Sequence, residues 1–135
     1  MNARELIDKH ARAFAAGDWD AVKEHWHPDA ELVSPSGRWP AKEMRAIMAD
    51  LERDYADVLI EVTDAFASPS GERIAVEWTY SATRRSDGSR STSPDAIIVD
   101  LRDGLIITWR EYFDLSTSVE YEQTPPAADK RLAGG

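Results

Sequence analysis

Two acidic side chains interrupt stretches that otherwise keep apolar residues on one face. In 93–102 the odd positions are Ser93, Asp95, Ile97, Val99 and Leu101; in 105–115 they are Leu105, Ile107, Trp109, Glu111, Phe113 and Leu115. Strand side chains alternate between two faces. Asp95 and Glu111 therefore each share a face with aliphatic and aromatic neighbours. A carboxyl group in such surroundings is suited to proton transfer, because withdrawal from water and a nearby partner tune its acidity. Tyr80 is a third candidate: in 72–84 the even positions Ile74, Val76, Trp78, Tyr80 and Ala82 face one way, and Glu77, Thr79 and Ser81 the other. His10 is a fourth, at helical spacing with Leu6, Ile7 and Phe14.

The link between the last two strands decides whether the acids meet. A two-residue Asp-Gly turn would pair position 102 with 105 and set the odd face of one strand against the even face of the next. A three-residue loop, Arg102-Asp103-Gly104, pairs 101 with 105 and unites both odd faces. One coherent apolar face favours the loop. Asp95 then lies directly opposite Glu111, with Cβ atoms ~5 Å apart. Two carboxylates so placed on an apolar face do not both ionise cheaply, and a shared proton would make them a general acid–base pair. Other readings of the same residues stay open. Both acids lie toward strand ends, where they could reach solvent, and Glu111 could pair with a nearby arginine.

Trp78, Trp109 and Phe113 would form an aromatic wall for a flat substrate, or serve as plain packing. Ser93, Ser34 and Met48 complete the candidate lining. Aldol-type cyclisation, isomerisation, dehydration and epoxide opening need only positioned acids and bases in a dry pocket, with no cofactor. His25 and His27 flank Trp26, but two histidines without an acid-rich scaffold make a weak metal signal, and no metal site is assigned. They are expected at the pocket mouth or on the surface.

Positioning these groups requires a particular set of elements. Apolar periodicity predicts helices over 3–16, 19–26 and 41–54, the first ending at Gly17 and the second capped by Asp18. A short strand is expected over 30–33, then a turn at Ser34-Pro35-Ser36-Gly37, with Trp39 in the following loop as a candidate lid. Strands are expected over 57–67, 72–84, 93–102 and 105–115. Helices first and a strand meander after make an α+β pattern. Residues 1–122 are expected to form one domain, and 123–135, with its Pro-Pro and Gly-Gly pairs, a loose tail.

The 135 residues carry a net charge of −9, no cysteine, and no apolar run near the ~20 residues of a membrane span. Disulfide, thiolate and Cys-ligated metal chemistry are excluded. Binding to nucleic acid lacks the clustered Lys and Arg it needs. Neither a Gly-rich dinucleotide loop, a phosphate-binding loop nor a serine nucleophile elbow is present. The polar N-terminus lacks the apolar core of a signal peptide, so a cytoplasmic location is expected.

Ala16-Gly17-Asp18-Trp19-Asp20-Ala21 with Trp26-His27-Pro28-Asp29-Ala30 resembles the helix–turn–helix–strand entry of the nuclear transport factor 2-like superfamily. Arg102-Asp103-Gly104-Leu105-Ile106 with Trp109-Arg110-Glu111-Tyr112-Phe113-Asp114-Leu115 resembles its final hairpin. The similarity covers roughly 3–122 and is nearest in character to the SnoaL-like polyketide cyclases. It implies a curved antiparallel sheet wrapped around three N-terminal helices, a cone with one apolar pocket for a small hydrophobic ligand. It also implies a homodimer through the outer sheet face, with Ile98, Ile106, Thr108 and Tyr112 as candidate contacts.

The last strand is also similar to that of limonene-epoxide hydrolase, whose general-base acid falls on Glu111. That enzyme's Arg and Asp on an earlier strand fall on Trp78 and Tyr80, and its Tyr and Asn on Leu32 and Ser34. In ketosteroid isomerase the base acid falls on Ser34, and the oxyanion-hole acid and tyrosine fall near Ile97 and His10. Neither machinery carries over whole. What the resemblance leaves is a pocket with its own acids, serving either acid–base catalysis or ligand binding alone.

Overall fold

Short polar side chains start the first two helices in the computed structural model, which describes residues 1–114. Asn2 Oδ1 accepts the Glu5 N–H at 2.9 Å and opens α1 (Ala3–Ala15). Asp18 Oδ1 accepts the Ala21 N–H at 3.2 Å and opens α2 (Trp19–Glu24). Both satisfy a helix N-terminus that would otherwise lack partners. Leu6, Ile7, His10 and Ala11 form the buried stripe of α1.

The second helix stops before the predicted Trp26, because that residue begins β1 (Trp26–Ser34). The chain then turns through Pro35 and Ser36 into β2 (Gly37–Pro40), where the sequence predicted only a turn and a loop. Trp39 sits opposite Leu32 and is 4% exposed. It is core rather than a lid. A short 3-10 turn, Ala41–Glu43, leads into α3 (Met44–Asp54), which buries Met44, Met48 and Leu51.

Four longer strands follow: β3 (Tyr55–Ala67), β4 (Arg73–Arg84), β5 (Arg90–Arg102) and β6 (Leu105–Tyr112). The curved six-stranded sheet has the order β2-β1-β6-β5-β4-β3. The pairs are antiparallel except β1 with β6, which are parallel. That parallel pair brings the first strand against the last. Leu6, Ile7 and Ala11 of α1 join Ile74, Val76, Trp78, Ile97, Val99, Ile106 and Trp109 in one core on the inner face of the sheet. The predicted α+β architecture is the one observed. Residues 115–122 and the tail 123–135 lie outside the described residues.

The β5–β6 register differs from the expected one. Asp103 and Gly104 both have positive φ, 53° and 79°, as a two-residue type I′ turn requires. Arg102 therefore pairs with Leu105, and Leu101 with Ile106. Ile107 is then an extra residue: Asp100 pairs with Thr108, Val99 with Trp109 and Ile97 with Glu111. A bulge of this kind shifts the faces by one residue. The inward faces are united after all, but through the bulge rather than through a longer loop. Glu111 ends opposite Ile97 instead of Asp95. Ile106 is fully buried, so it belongs to the core and not to the outer face where the alternation placed it.

Candidate functional site

Asp95 and Glu111 are both inward and buried, at 7% and 8% exposure. They are diagonal neighbours across β5 and β6, since Glu111 faces Ile97. Diagonal positions lie ~7–8 Å apart, within reach of long side chains. On its other side Asp95 is paired with Trp78 of β4.

Each acid is held by an indole. Trp78 Nε1 donates to Asp95 Oδ2 at 3.1 Å, and Ser93 Oγ donates to Asp95 Oδ1 at 2.7 Å. Trp109 Nε1 donates to Glu111 Oε1 at 2.9 Å. The Trp78 and Trp109 rings are 5.5 Å apart, so the two tryptophan–acid couples share one aromatic surface. Sequence patterning placed both tryptophans on the wall, but not as donors to the acids.

His10 reaches this surface from α1. Its ring lies 4.8 Å from that of Trp109, 5.9 Å from Trp26 and 5.8 Å from His25. Burial, and secondarily the charge His25 would carry, lowers the His10 pKa to about 3. The imidazole is neutral at ordinary pH. His10 Nδ1, His25 Nδ1 and Trp26 Nε1 are all enclosed without a hydrogen-bond partner among the described residues. His27 Nδ1 accepts the backbone N–H of Asp29 at 3.0 Å. Among the described residues, no group of three or more His, Cys, Asp or Glu is placed to hold a metal ion.

Ser34 and Ser36 form a buried hydroxyl pair, Oγ to Oγ 2.8 Å. Val33 pairs with Arg110, so continuing that parallel register sets Ser34 beside Glu111. Ser36, nearly inaccessible at 1%, was not singled out by the sequence, which read it as a turn residue. Phe113 is half-buried just past the end of β6.

Tyr80 and Met48 lie elsewhere on the inner surface. They line a cavity of about 160 Å³ that also touches Phe14, Trp19, Leu51, Tyr55 and Val58. Tyr80 pairs with Ser93, whose hydroxyl bonds to Asp95, and so connects the cavity with the acids. The candidate residues thus form three adjoining groups: Asp95 with Ser93 and Trp78; Glu111 with Trp109, His10 and Ser34; and Tyr80 with Met48.

The SnoaL-like domain model matches residues 7–109. Among solved structures, a protein of ketosteroid isomerase-like fold from Catenulispora acidiphila, in complex with trimethylamine, superposes with TM-score 0.76. It is 18% identical, over 95% of this chain and 98% of that one. A candidate polyketide cyclase from Silicibacter sp. TM1040 gives TM-score 0.71 at 27% identity, over 84% and 89% of the two chains. The candidate polyketide cyclase IdmH from Streptomyces antibioticus gives 0.73 at 19% identity, over 84% and 93%. Among curated proteins none matches the sequence.

Proposed function

Because the chain belongs to the SnoaL-like domain family, we propose that it is a cofactor-independent acid–base enzyme acting on a small, mainly apolar molecule. The observation that carries this reading is the pair of buried acids on one concave aromatic face, each oriented by a tryptophan N–H. A carboxyl group with a fixed rotamer in a water-poor site is the usual equipment for moving a proton to or from carbon. Glu111 and Asp95 would divide the acid and base roles. Tyr80 would donate to a substrate oxygen. His10, neutral at working pH, would act only as a hydrogen-bonding imidazole beside Trp109, never as a cationic acid. Trp78, Trp109 and Phe113 would flank a flat substrate, with Ser93, Ser34 and Met48 completing its surroundings. Cyclisation of a polyketide-like chain, isomerisation, dehydration and ring-opening hydrolysis all fall within this chemistry. The cyclase candidates among its structural neighbours support that range.

A substrate-independent test uses 5-nitrobenzisoxazole, whose ring opens when a base removes one proton. The protein is expected to accelerate opening above an equal concentration of free carboxylate, and Glu111→Gln to remove most of the acceleration. Gln keeps an oxygen to accept the Trp109 N–H, so the pocket retains its shape. Tight binding of the probe without acceleration would make the chain a ligand-binding module instead.

A further inference from the structure

The cavity bordered by Tyr80 has a chemical character of its own. It lies where the C-terminal end of α1, the start of α2 and the end of α3 meet β3 and β4, and its volume is about 160 Å³. A volume of ~150 Å³ is enough for a molecule the size of benzene, so this cavity has room for a compact head group. Three of its aromatic rings stand nearly at right angles. Phe14 and Trp19 have centroids 5.4 Å apart at 85°, and Phe14 and Tyr80 6.4 Å apart at 71°. All three are only half-buried, although they pack on the core. Tyr55, Met48, Leu51 and Val58 complete the wall.

Charge at this cavity is unbalanced toward the negative. Among the described residues, Glu52 and Asp57 line it against one cation, Arg85. Trp19 Nε1 donates to Glu52 Oε1 at 2.8 Å, which fixes the carboxylate beside the aromatic corner. Gly17, at φ +68°, leaves room for it, since a Cβ there would stand 2.8 Å from that same oxygen. Arg85 is already engaged: its backbone N–H donates to the Asp54 carbonyl at 2.9 Å and its Nε to the Glu52 carbonyl at 3.1 Å.

Aromatic faces carry negative electrostatic potential and attract cations, most strongly where several rings surround one charge. A neutral apolar molecule would profit from the rings but not from Glu52. An anion would meet two carboxylates. We propose that this cavity is a binding site for a small alkylammonium group, with Phe14, Trp19 and Tyr80 as its aromatic walls and Glu52 as counter-ion. The net charge of −9 further raises the local concentration of cations. Of the residues named, Tyr80 and Met48 are common to this site and the surroundings proposed for the acid–base substrate, whereas the two acids and their tryptophans are not, so the inference stands without the enzymatic reading.

Calorimetric titration with choline and with its neutral isostere 3,3-dimethylbutan-1-ol tests it. Choline is expected to bind about tenfold tighter or better, the scale of a desolvated cation–aromatic contact. Glu52→Gln retains an acceptor for Trp19 but not the charge, and should remove most of that preference. Trp19→Phe keeps a ring with less negative potential and should weaken choline more than the isostere. Asp95→Asn should leave choline affinity unchanged, so failure of the acid–base reading would not register here. Equal affinities for choline and isostere would overturn the proposal, as would stronger binding of acetate than of choline, or a Glu52→Gln variant that keeps the full preference.

Discussion

Asp95 and Asp100 lie five residues apart on one strand, on opposite faces of the sheet, and the protein answers them in opposite ways. Asp95 points inward and receives neutral donors, the Trp78 indole and the Ser93 hydroxyl. Asp100 points outward and receives Arg73 Nε at 2.6 Å, Arg110 Nη1 at 2.7 Å and Thr108 Oγ1 at 2.6 Å. Its partial burial alone would raise its pKa, but the Thr108, Arg73 and Arg110 hydrogen bonds, with the Arg110 charge, outweigh that and bring it to about 2. Asp100 is a fixed anion that ties β4, β5 and β6 together. Among the described residues Asp95 is oriented by neutral donors and joins no ion pair, which suits a group that must exchange a proton. On β5, then, ion pairing accompanies the acid that serves structure, Asp100, and neutral donors accompany Asp95, to which we assign chemistry.

The largest effect expected from breaking the inner arrangement is a pH effect. His10 is held near pKa 3 in the folded chain, against 6.5 when unperturbed. The unfolded chain therefore takes up a proton that the folded chain excludes. The stability associated with neutral His10 is complete above about pH 6.5 and is lost as pH falls toward 3, at up to ~1.4 kcal/mol per pH unit. His25, lowered first by burial and then by the Lys9 charge, adds in the same direction. Urea unfolding of His10→Leu at successive pH values should show a visibly flatter decline below pH 6.5 than the wild type. Parallel declines would place the acid sensitivity elsewhere.

On the outer face, Asp100→Asn should cost about 2 kcal/mol at neutral pH, since charge-assisted hydrogen bonds at a partly buried site are weakened together. The Asp100 contribution is complete above pH 3.8 and is lost as pH falls toward 2. Its acid window therefore lies below that of His10, and thermal melts of the two variants across pH should separate them. Arg73→Ala is the smallest change. Arg73 is 64% exposed and two donors to Asp100 remain, so a loss under about 1 kcal/mol is expected. A loss equal to that of Asp100→Asn would show that the network depends on that one arm.

The alternation of 72–84, 93–102 and 105–115 was enough to read the inward face, including both acids and their tryptophans. It could not read the register, because a three-residue loop and a two-residue turn followed by a bulge at Ile107 unite the same faces. The difference appears only in which residues are opposite, and it moved Glu111 by two positions and Ile106 into the core. Ser36 was not legible either, since its bond to Ser34 is set by the β1–β2 hairpin, where only a turn and a loop were expected; nor was the His10–His25–Trp26 cluster, which forms where α1 meets the start of β1, a strand paired with β6 far along the chain. The aromatic corner of Phe14, Trp19 and Tyr80 draws on α1, α2 and β4, whose local patterns carry no sign of one another.

We propose that the inner acids serve chemistry, whereas the outer acid serves stability. The direct measurement compares three amide variants, Asp95→Asn, Glu111→Gln and Asp100→Asn, in benzisoxazole opening and in thermal melting. The two inner variants are expected to lose about a hundredfold or more of the rate, the scale of a positioned general base, with melting temperatures near wild type, while Asp100→Asn melts earlier and keeps its rate. Inner variants that retain the wild-type rate, or an outer variant that loses it, would overturn this division of roles between the two faces.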